Sequence, residues 1–347
     1  MRSRPRRPTR TARRSHKPRR DPPRHHRRAR IRKAHPRGPR LLQLRKLRTP
    51  HTRHHRRACV EHGAPTIGSA ALNSPPLHTI IKPRRGLAQL DLAEVWEYRE
   101  LLGYLAWRDI VVRYKQTSIG ILWAFIRPFL TMVIFTVVFG RIAKLPSEGV
   151  PYAVFTFIAL LPWQFFATAF AETAMSVVGN GYMITKIYFP RLILPLASIA
   201  VGIVDFMVSF VILLLIMIWY RTPVSVHAWA LPLFFLLCVV FTIGLGLFTA
   251  ALYVRYRDMR HLIPFLTQFG LYVSPVAYST TSVSPKWRFL FSLNPMTAVI
   301  DGFRWSLLGT TPLYVPGIIA GTATSIVLLV VALYYFKATE RIFADVM

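Results

Sequence analysis

Three acidic residues have the clearest potential for chemistry in this sequence, because they lie in or beside long apolar runs: Glu172, Asp205 and Asp301. An ionisable side chain at membrane depth is a functional candidate, since placing it there is energetically costly. These carboxyl groups could carry protons in an ion-coupled carrier. They could equally form ion pairs that pack helices together, with Glu172 and Asp205 pairing with Arg127. The ion pair is the preferred hypothesis, and the residues alone leave the carrier open.

Motifs for catalysis or nucleotide binding are missing from the sequence. It contains no GxxxxGK[ST] phosphate loop, no GxGxxG, no HExxH and no GxSxG. Its two cysteines, Cys59 and Cys238, suggest neither a disulfide framework nor a metal pattern. We therefore predict a protein that is not an enzyme, with no catalytic residue, no metal ligand and no cofactor of its own.

A short segment between two apolar runs, YMITKIYFPRLILP at Tyr182–Pro195, is the strongest candidate for an interaction site. Cations without acids in such a loop favour the cytoplasmic side of a membrane. The spacing predicts a short amphipathic helix ended by its proline, with aromatic side chains free to enter a groove on a partner. An interfacial loop anchored by its aromatics is the alternative. The residues concerned are Lys186, Tyr188, Phe189, Pro190 and Arg191.

The charge of the chain divides it into two parts that must be positioned differently. Residues 1–85 carry a net charge of +25, whereas residues 86–347 carry only +6. The first part is poor in apolar residues and is predicted to be a disordered basic tail. Such a tail could bind polyanions or anionic lipid. A start assigned too far upstream is a further explanation, in which case the tail is not made.

The second part is predicted to be an all-α membrane protein with six transmembrane helices. Each apolar run has about the 20 residues that a bilayer core requires. Six crossings put both termini on one side, and ten flanking cations against six favour the cytoplasm for them. The predicted spans are 119–140, 153–178, 192–219, 230–254, 262–282 and 316–336.

Two further elements complete this predicted domain at 86–347. Apolar residues at helical spacing over about 91–110 predict an amphipathic interface helix, although packing on a soluble partner gives the same pattern. Between spans five and six, residues 283–312 are apolar but broken by prolines, which predicts re-entrant outer gate helices. The residues assigned to the interface helix and its end are Trp107, Arg108, Asp109 and Arg113.

The second span is rich in aromatic residues. Sugar rings stack on aromatic faces, so a path lined by these side chains would suit a glycan. Packing in the core or against lipid is the more common use of such residues. The candidates are Phe155, Trp163, Phe165, Phe166 and Phe170.

Five ordered segments resemble the ABC-2 type permeases that export polysaccharides such as O-antigen, capsule and teichoic acid. Any one segment is a weak signal, whereas five in order over about residues 90–345 are specific. They are YRELLGYLAWRDIVVRYKQTSIGILWAFIRPF (98–129), LLPWQFFATAF (160–170), YMITKIYFPRLILPL (182–196), YVRYRDMRHLIPFLTQFGLYVSPVAYS (253–279) and LNPMTAVIDGFRWSLLG (293–309).

The resemblance implies a multi-pass homodimer in the bacterial inner membrane, joined to two separate ABC ATPase subunits that hold ATP and Mg²⁺. The segment at Lys186–Arg191 would couple to the ATPase. Charge in the loop between spans four and five suggests that Arg255, Arg257 and Arg260 contact the pyrophosphate of a lipid-linked polysaccharide. No specific nucleic-acid partner is expected. Export of a drug or small lipid by a similar transporter, or an ion-coupled carrier, are the alternatives.

Overall fold

The computed structural model describes residues 92–115, 122–310, 312–340 and 343, and all the regular structure in these residues is helical. The predicted basic tail at 1–85 lies outside the described residues. Eleven α-helices follow one another along this part of the chain: α1 (Leu92–Glu97), α2 (Arg99–Lys115), α3 (Leu122–Phe135), α4 (Tyr152–Gly179), α5 (Gly181–Lys186), α6 (Ile193–Trp219), α7 (Leu231–Arg255), α8 (Met259–Val273), α9 (Pro285–Ser292), α10 (Pro295–Leu308) and α11 (Val315–Glu340).

Five helical segments of the described chain are long and apolar enough to cross a membrane. Helix α3 qualifies because it continues as a π-helix over Thr136–Ile142. The others coincide with predicted runs two, three, four and six. The five segments are Phe125–Ile142, Tyr152–Lys186, Ile193–Trp219, Val226–Arg255 and Val315–Glu340.

The predicted span at 262–282 differs from the structure. Helix α8 has 15 residues, or about 22 Å at 1.5 Å per residue, which is shorter than a bilayer core. It ends because Ser274 precedes Pro275 and adopts φ −84° and ψ 148°. A proline disfavours the helical conformation of the residue before it. A complete helical span over 262–282 is therefore not confirmed.

Helix α4 is the centre of the bundle. Its residues from Ala153 to Trp163 are all buried, so it is apolar on every side and not on one stripe, which is the pattern of a helix enclosed by others. It packs against α3, α6, α7 and α10. For description, the end of the molecule where α4 begins is called the upper end, and the end where α4 finishes and α5 follows is called the lower end.

Close packing of α7 against α10 depends on Gly302. A Cβ atom placed there would lie 2.1 Å from the ring of Phe234, whereas one placed on Gly103 in α2 would meet nothing within 4 Å. Overpacking a core in this way costs about 1–3 kcal/mol or more.

We expect Gly302→Ala to lower the thermal unfolding temperature of the detergent-purified protein. Gly103→Ala is the matched control and should keep or raise it, because alanine favours a helix over glycine by about 1 kcal/mol. Equal unfolding temperatures for the two variants would contradict this packing argument.

Candidate functional site

The segment predicted to contact a partner lies at the lower end, between α4 and α6. Helix α5 begins one residue after Asn180 and ends at Lys186, where Ile187 turns extended with φ −130° and ψ 134°. The prediction that Pro190 ends this helix was therefore wrong by several residues. The extended stretch carries the chain inward at Phe189 before α6 begins.

The two aromatic residues of this segment differ in exposure. Tyr188 is 82% exposed, whereas Phe189 is 4% exposed and packs in a cluster with Leu105 and Ile184. The expectation that both aromatics are free to enter a partner's groove therefore fits only Tyr188. Its phenol lies 3.5 Å from Glu94 Oε1, and that carboxylate raises the pKa of Tyr188. The tyrosine thus stays a neutral, exposed side chain.

Arg191 is tied to the end of α11. Its backbone N–H donates to Glu340 Oε1 at 3.3 Å, and its guanidinium donates to the Glu340 carbonyl oxygen. Lys337 Nζ lies 2.8 Å from Glu340 Oε2, and the guanidinium carbon lies 5.7 Å from the Phe343 ring centroid. Arg191 therefore fastens the coupling segment, here defined as residues 180–191, to α11.

Helix α2 also contacts the coupling segment. Arg108 donates to Asn180 Oδ1 at 3.0 Å and lies 2.8 Å from Asp109 Oδ1. Trp107, the residue before it, is 66% exposed. The structure thus separates the residues assigned to the predicted interface helix, with Arg108 directed to the coupling segment and Trp107 directed outward.

The predicted ion pairs of Glu172 and Asp205 form with a different cation. Arg113 lies 3.2 Å from Glu172 and 2.9 Å from Asp205, and Tyr114 donates a hydrogen bond to Asp205. Burial, aided by this hydrogen bond, raises the pKa of Tyr114. The assignment of Arg127 as the shared partner was wrong. Arg113 instead joins α2 to both α4 and α6, because α2 lies closer to their polar residues.

Arg127 lines a cavity of about 340 Å³ beside this network. The walls come from α2, α3, α4 and α6, and they combine polar groups such as Gln164 with aromatic ones such as Trp123. The cavity therefore combines a few charged and polar side chains with a largely apolar wall.

The aromatic residues proposed for a glycan path lie in the core of the chain. Their exposed fractions run from 0 to 5%, and several pack on each other: the Phe166 ring stacks on Phe170 and on Phe241. In this conformation they serve packing, and of the five only Phe165 also borders the cavity that Arg127 lines. The residues are Phe155, Trp163, Phe165, Phe166 and Phe170.

The turn between α7 and α8 lies at the lower end and is exposed. Arg257 and Arg260 line a cavity together with Tyr182 and Thr185 of the coupling segment, whereas Arg255 packs over Tyr256 at 5.6 Å and is absent from that lining. The three cations assigned to one pyrophosphate contact are thus divided between two environments.

A buried polar cluster at the upper end holds the segment that follows α8. Arg304, which is fully buried, donates to the carbonyl oxygens of Val276 at 2.9 Å and Tyr278 at 3.0 Å. Its guanidinium carbon lies 3.7 Å from the Phe155 ring centroid. This arginine therefore ties α10 to α4 and to a stretch of backbone that forms no helix.

Asp301 stands one turn before Arg304 and takes part in the same cluster. It accepts a hydrogen bond from Thr280 at 2.6 Å, and burial raises the pKa of its carboxyl group to about 6 despite that bond. Glu148, from the loop before α4, accepts hydrogen bonds from Ser279 and Thr281. Arg304 was not predicted as a site residue from the sequence; its three-residue spacing from Asp301 in an apolar segment was the available signal.

Comparison with known proteins identifies relatives for most of the chain. The model of the ABC-2 type transporter family matches residues 100–308. An O-antigen export system permease protein of Myxococcus xanthus is 26% identical over 254 residues, which cover 73% of this chain and 97% of that protein. One of Klebsiella pneumoniae is 27% identical over 249 residues, 72% and 95% of the two chains. A polysialic acid transport protein of Escherichia coli is 21% identical over 206 residues, 58% and 78%.

The five long apolar helical segments of the described chain define a multi-pass helical membrane protein. The family match covers more than half of the chain. The chain belongs to the ABC-2 type transporter family.

Proposed function

We propose that this chain is the permease subunit of an ATP-driven exporter that moves a lipid-linked polysaccharide across the inner membrane. The observation that carries the proposal is the alignment with O-antigen export permeases over 95–97% of their length. A third relative is named for the transport of polysialic acid, which is also a polysaccharide.

A sixth crossing by α8 and the stretch after it is part of this proposal. The α7–α8 turn lies beside Val178 and Gly179 at the lower end of α4. Further along, Gly270 approaches the ring of Trp163, and the Ala277 carbonyl oxygen accepts from the Tyr152 hydroxyl at 2.6 Å. The chain from 258 to 277 thus follows α4 from its end to its beginning. A short helix with an extended continuation would complete an even number of crossings.

The lower end would face the cytoplasm, with both termini of the permease domain on that side and α9 and α10 as outer gate helices. Two copies of the chain would pair, and two ABC ATPase subunits would bind ATP and Mg²⁺ below them. Closure of the ATPases would then push on the coupling segment. Since the aromatic residues of α4 are buried, a glycan path at the dimer interface would use exposed aromatics on α3 and α8 such as Trp123 and Phe269.

Deletion of the gene tests the proposal. We expect surface polysaccharide to be lost and its lipid-linked precursor to accumulate on the cytoplasmic side, with recovery when the gene is returned. Labelled glycan in vesicles should move only when the ATPase subunit and ATP are both present. Uphill transport by the permease alone, or unchanged surface polysaccharide in the deletion strain, would contradict the proposal.

A further inference from the structure

Three uncharged polar side chains line the cavity that Arg127 borders, here called the lateral cavity. They are Gln164 and Thr168 from α4 and Ser209 from α6. Within the residues that the structure describes, none of these three side chains takes part in a hydrogen bond, although Ser209 is only 5% exposed. Polar groups taken from water into an apolar bundle are costly unless they find a partner. The lateral cavity therefore has hydrogen-bonding capacity that a ligand could use.

One positive charge in the lateral cavity is not balanced. Arg113 already has partners, because its guanidinium nitrogens lie 3.2 Å from Glu172 and 2.9 Å from Asp205. Arg127 makes neither an ion pair nor a side-chain hydrogen bond within the described part of the chain, although it lines the same cavity as Asp205. An arginine at membrane depth is costly and is usually paired. The guanidinium group of Arg127 therefore calls for an anionic ligand.

The depth of the lateral cavity matches the headgroup region of a bilayer. Arg127 is the third residue of the apolar segment Phe125–Ile142. That segment begins at the lower end, since Gly140 near its other end lies against Tyr152, where α4 begins. The last turn of α2 also lines the cavity. Basic pockets between transmembrane helices at such a depth bind anionic lipid headgroups, so the ligand is expected to be a lipid of the leaflet at the lower end.

The remaining walls suit a lipid that stays in the membrane. The rings of Phe165 and Phe206 meet edge to face, 6.0 Å apart, in the apolar wall. Outside the cavity, Met207 on α6 is apolar and exposed, which gives acyl chains a surface to follow. Among the described residues, helix α8 with Phe269 of the proposed glycan path contributes nothing to the lining, whereas the half-exposed Trp123 borders the cavity. The lateral cavity is therefore largely separate from that path.

We propose that the lateral cavity binds the headgroup of an anionic glycerophospholipid, with Arg127 on its phosphodiester group. The planar guanidinium group of arginine matches the oxygen atoms of a phosphate. Gln164, Thr168 and Ser209 are partners for the hydroxyl groups of a headgroup such as glycerol, which carries no cation of its own. The bound lipid joins α3 to α4 and α6. This inference goes beyond the proposed function, because it requires only this chain and a membrane.

The test is a titration of the purified full chain in detergent with short-chain phosphatidylglycerol, followed by native mass spectrometry. The wild type should bind this lipid in preference to phosphatidylcholine with the same acyl chains. Arg127→Gln should weaken the binding of phosphatidylglycerol at least about tenfold, because hydrogen bonds to a charged group are lost. Arg141→Gln is the matched control, since Arg141 is an exposed cation at the upper end of the same apolar segment, away from the cavity.

A second variant keeps the test available if Arg127→Gln does not fold. Ser209→Ala removes one hydroxyl group from the lining and should weaken the binding of phosphatidylglycerol about two- to tenfold. Wild-type affinity for phosphatidylglycerol in the folded Arg127→Gln protein would overturn the proposal. If only Ser209→Ala folds, wild-type affinity in that variant would do the same.

Competition experiments on the wild type separate the possible sources of phosphate. Equal affinity for phosphatidylcholine would show that the cavity does not select anionic headgroups. Displacement of phosphatidylglycerol by inorganic phosphate at similar concentrations would indicate a site for a free ion. Displacement by a polyprenyl pyrophosphate at lower concentrations would assign the cavity to the lipid carrier of a transported glycan. Each of these three results would overturn the proposal of a bilayer phospholipid.

Discussion

Replacing Arg304 with methionine is expected to abolish export and to loosen the upper end of the bundle. The change removes two hydrogen bonds to the backbone of residues 276–278. It also removes Arg304 as the stronger of the two cations, with Arg288, that act on the buried Asp301 carboxylate. Each buried carbonyl oxygen that loses its hydrogen bond costs about 1–3 kcal/mol. Thermal unfolding of the purified variant, together with the accessibility of a cysteine introduced at Ser282, measures the effect.

The loss of stability in the Arg304→Met variant should depend on pH, because the Asp301 carboxyl group favours its neutral form when Arg304 is absent. A raised pKa in the folded variant means that stability falls as pH rises through it, so the defect should be smaller at pH about 5 than at pH about 8. Adding Asp301→Asn should restore part of the stability. Lys286→Met removes an exposed cation from neighbouring α9 and is the control. An Arg304→Met protein as stable as this control would contradict the role of Arg304 in holding the upper end of the bundle together.

Replacing Tyr188 with alanine is expected to uncouple export from ATP hydrolysis while leaving the permease folded. The side chain is 82% exposed, so its removal creates no cavity, and exposed aromatics in the centre of an interface contribute up to about 2–4 kcal/mol to binding. We expect glycan export to fall at least about tenfold in vesicles that contain the ATPase subunit, with hydrolysis continuing. Unchanged export per ATP would contradict the coupling role.

The neighbouring aromatic residue provides the comparison for Tyr188. Phe189 is buried with Leu105 and Ile184, so Phe189→Ala should destabilise the fold by about 3–5 kcal/mol through loss of packing. A drop in unfolding temperature for Phe189→Ala and none for Tyr188→Ala would separate structure from coupling. Equal drops would show that both side chains are structural.

The sequence predicted the apolar helices well, because a run of some 20 apolar residues has few other uses. It misplaced features set by tertiary contacts. Tyr188 and Phe189 are adjacent aromatic residues, and the sequence does not reveal which of the two is buried. That choice is set by Leu105, which is distant in sequence and packs in the same cluster as Phe189. Likewise, Arg113 and Arg127 are both plausible partners for Asp205, and only the packing of α2 against α6 selects Arg113. The aromatic residues of α4 indicated that rings would stack in this segment. They did not indicate that neighbouring helices enclose α4 on every side.

The fastening of α11 at both ends has a mechanical consequence. At one end Glu340 holds Arg191; at the other, Gly317 and Gly321 bring the helix against Ser292 and Ala298. A continuous helix of 26 residues is about 39 Å long, and it resists compression along its axis. Displacement of its lower end would therefore move the residues of α9 and α10 that it contacts at the upper end by a similar distance.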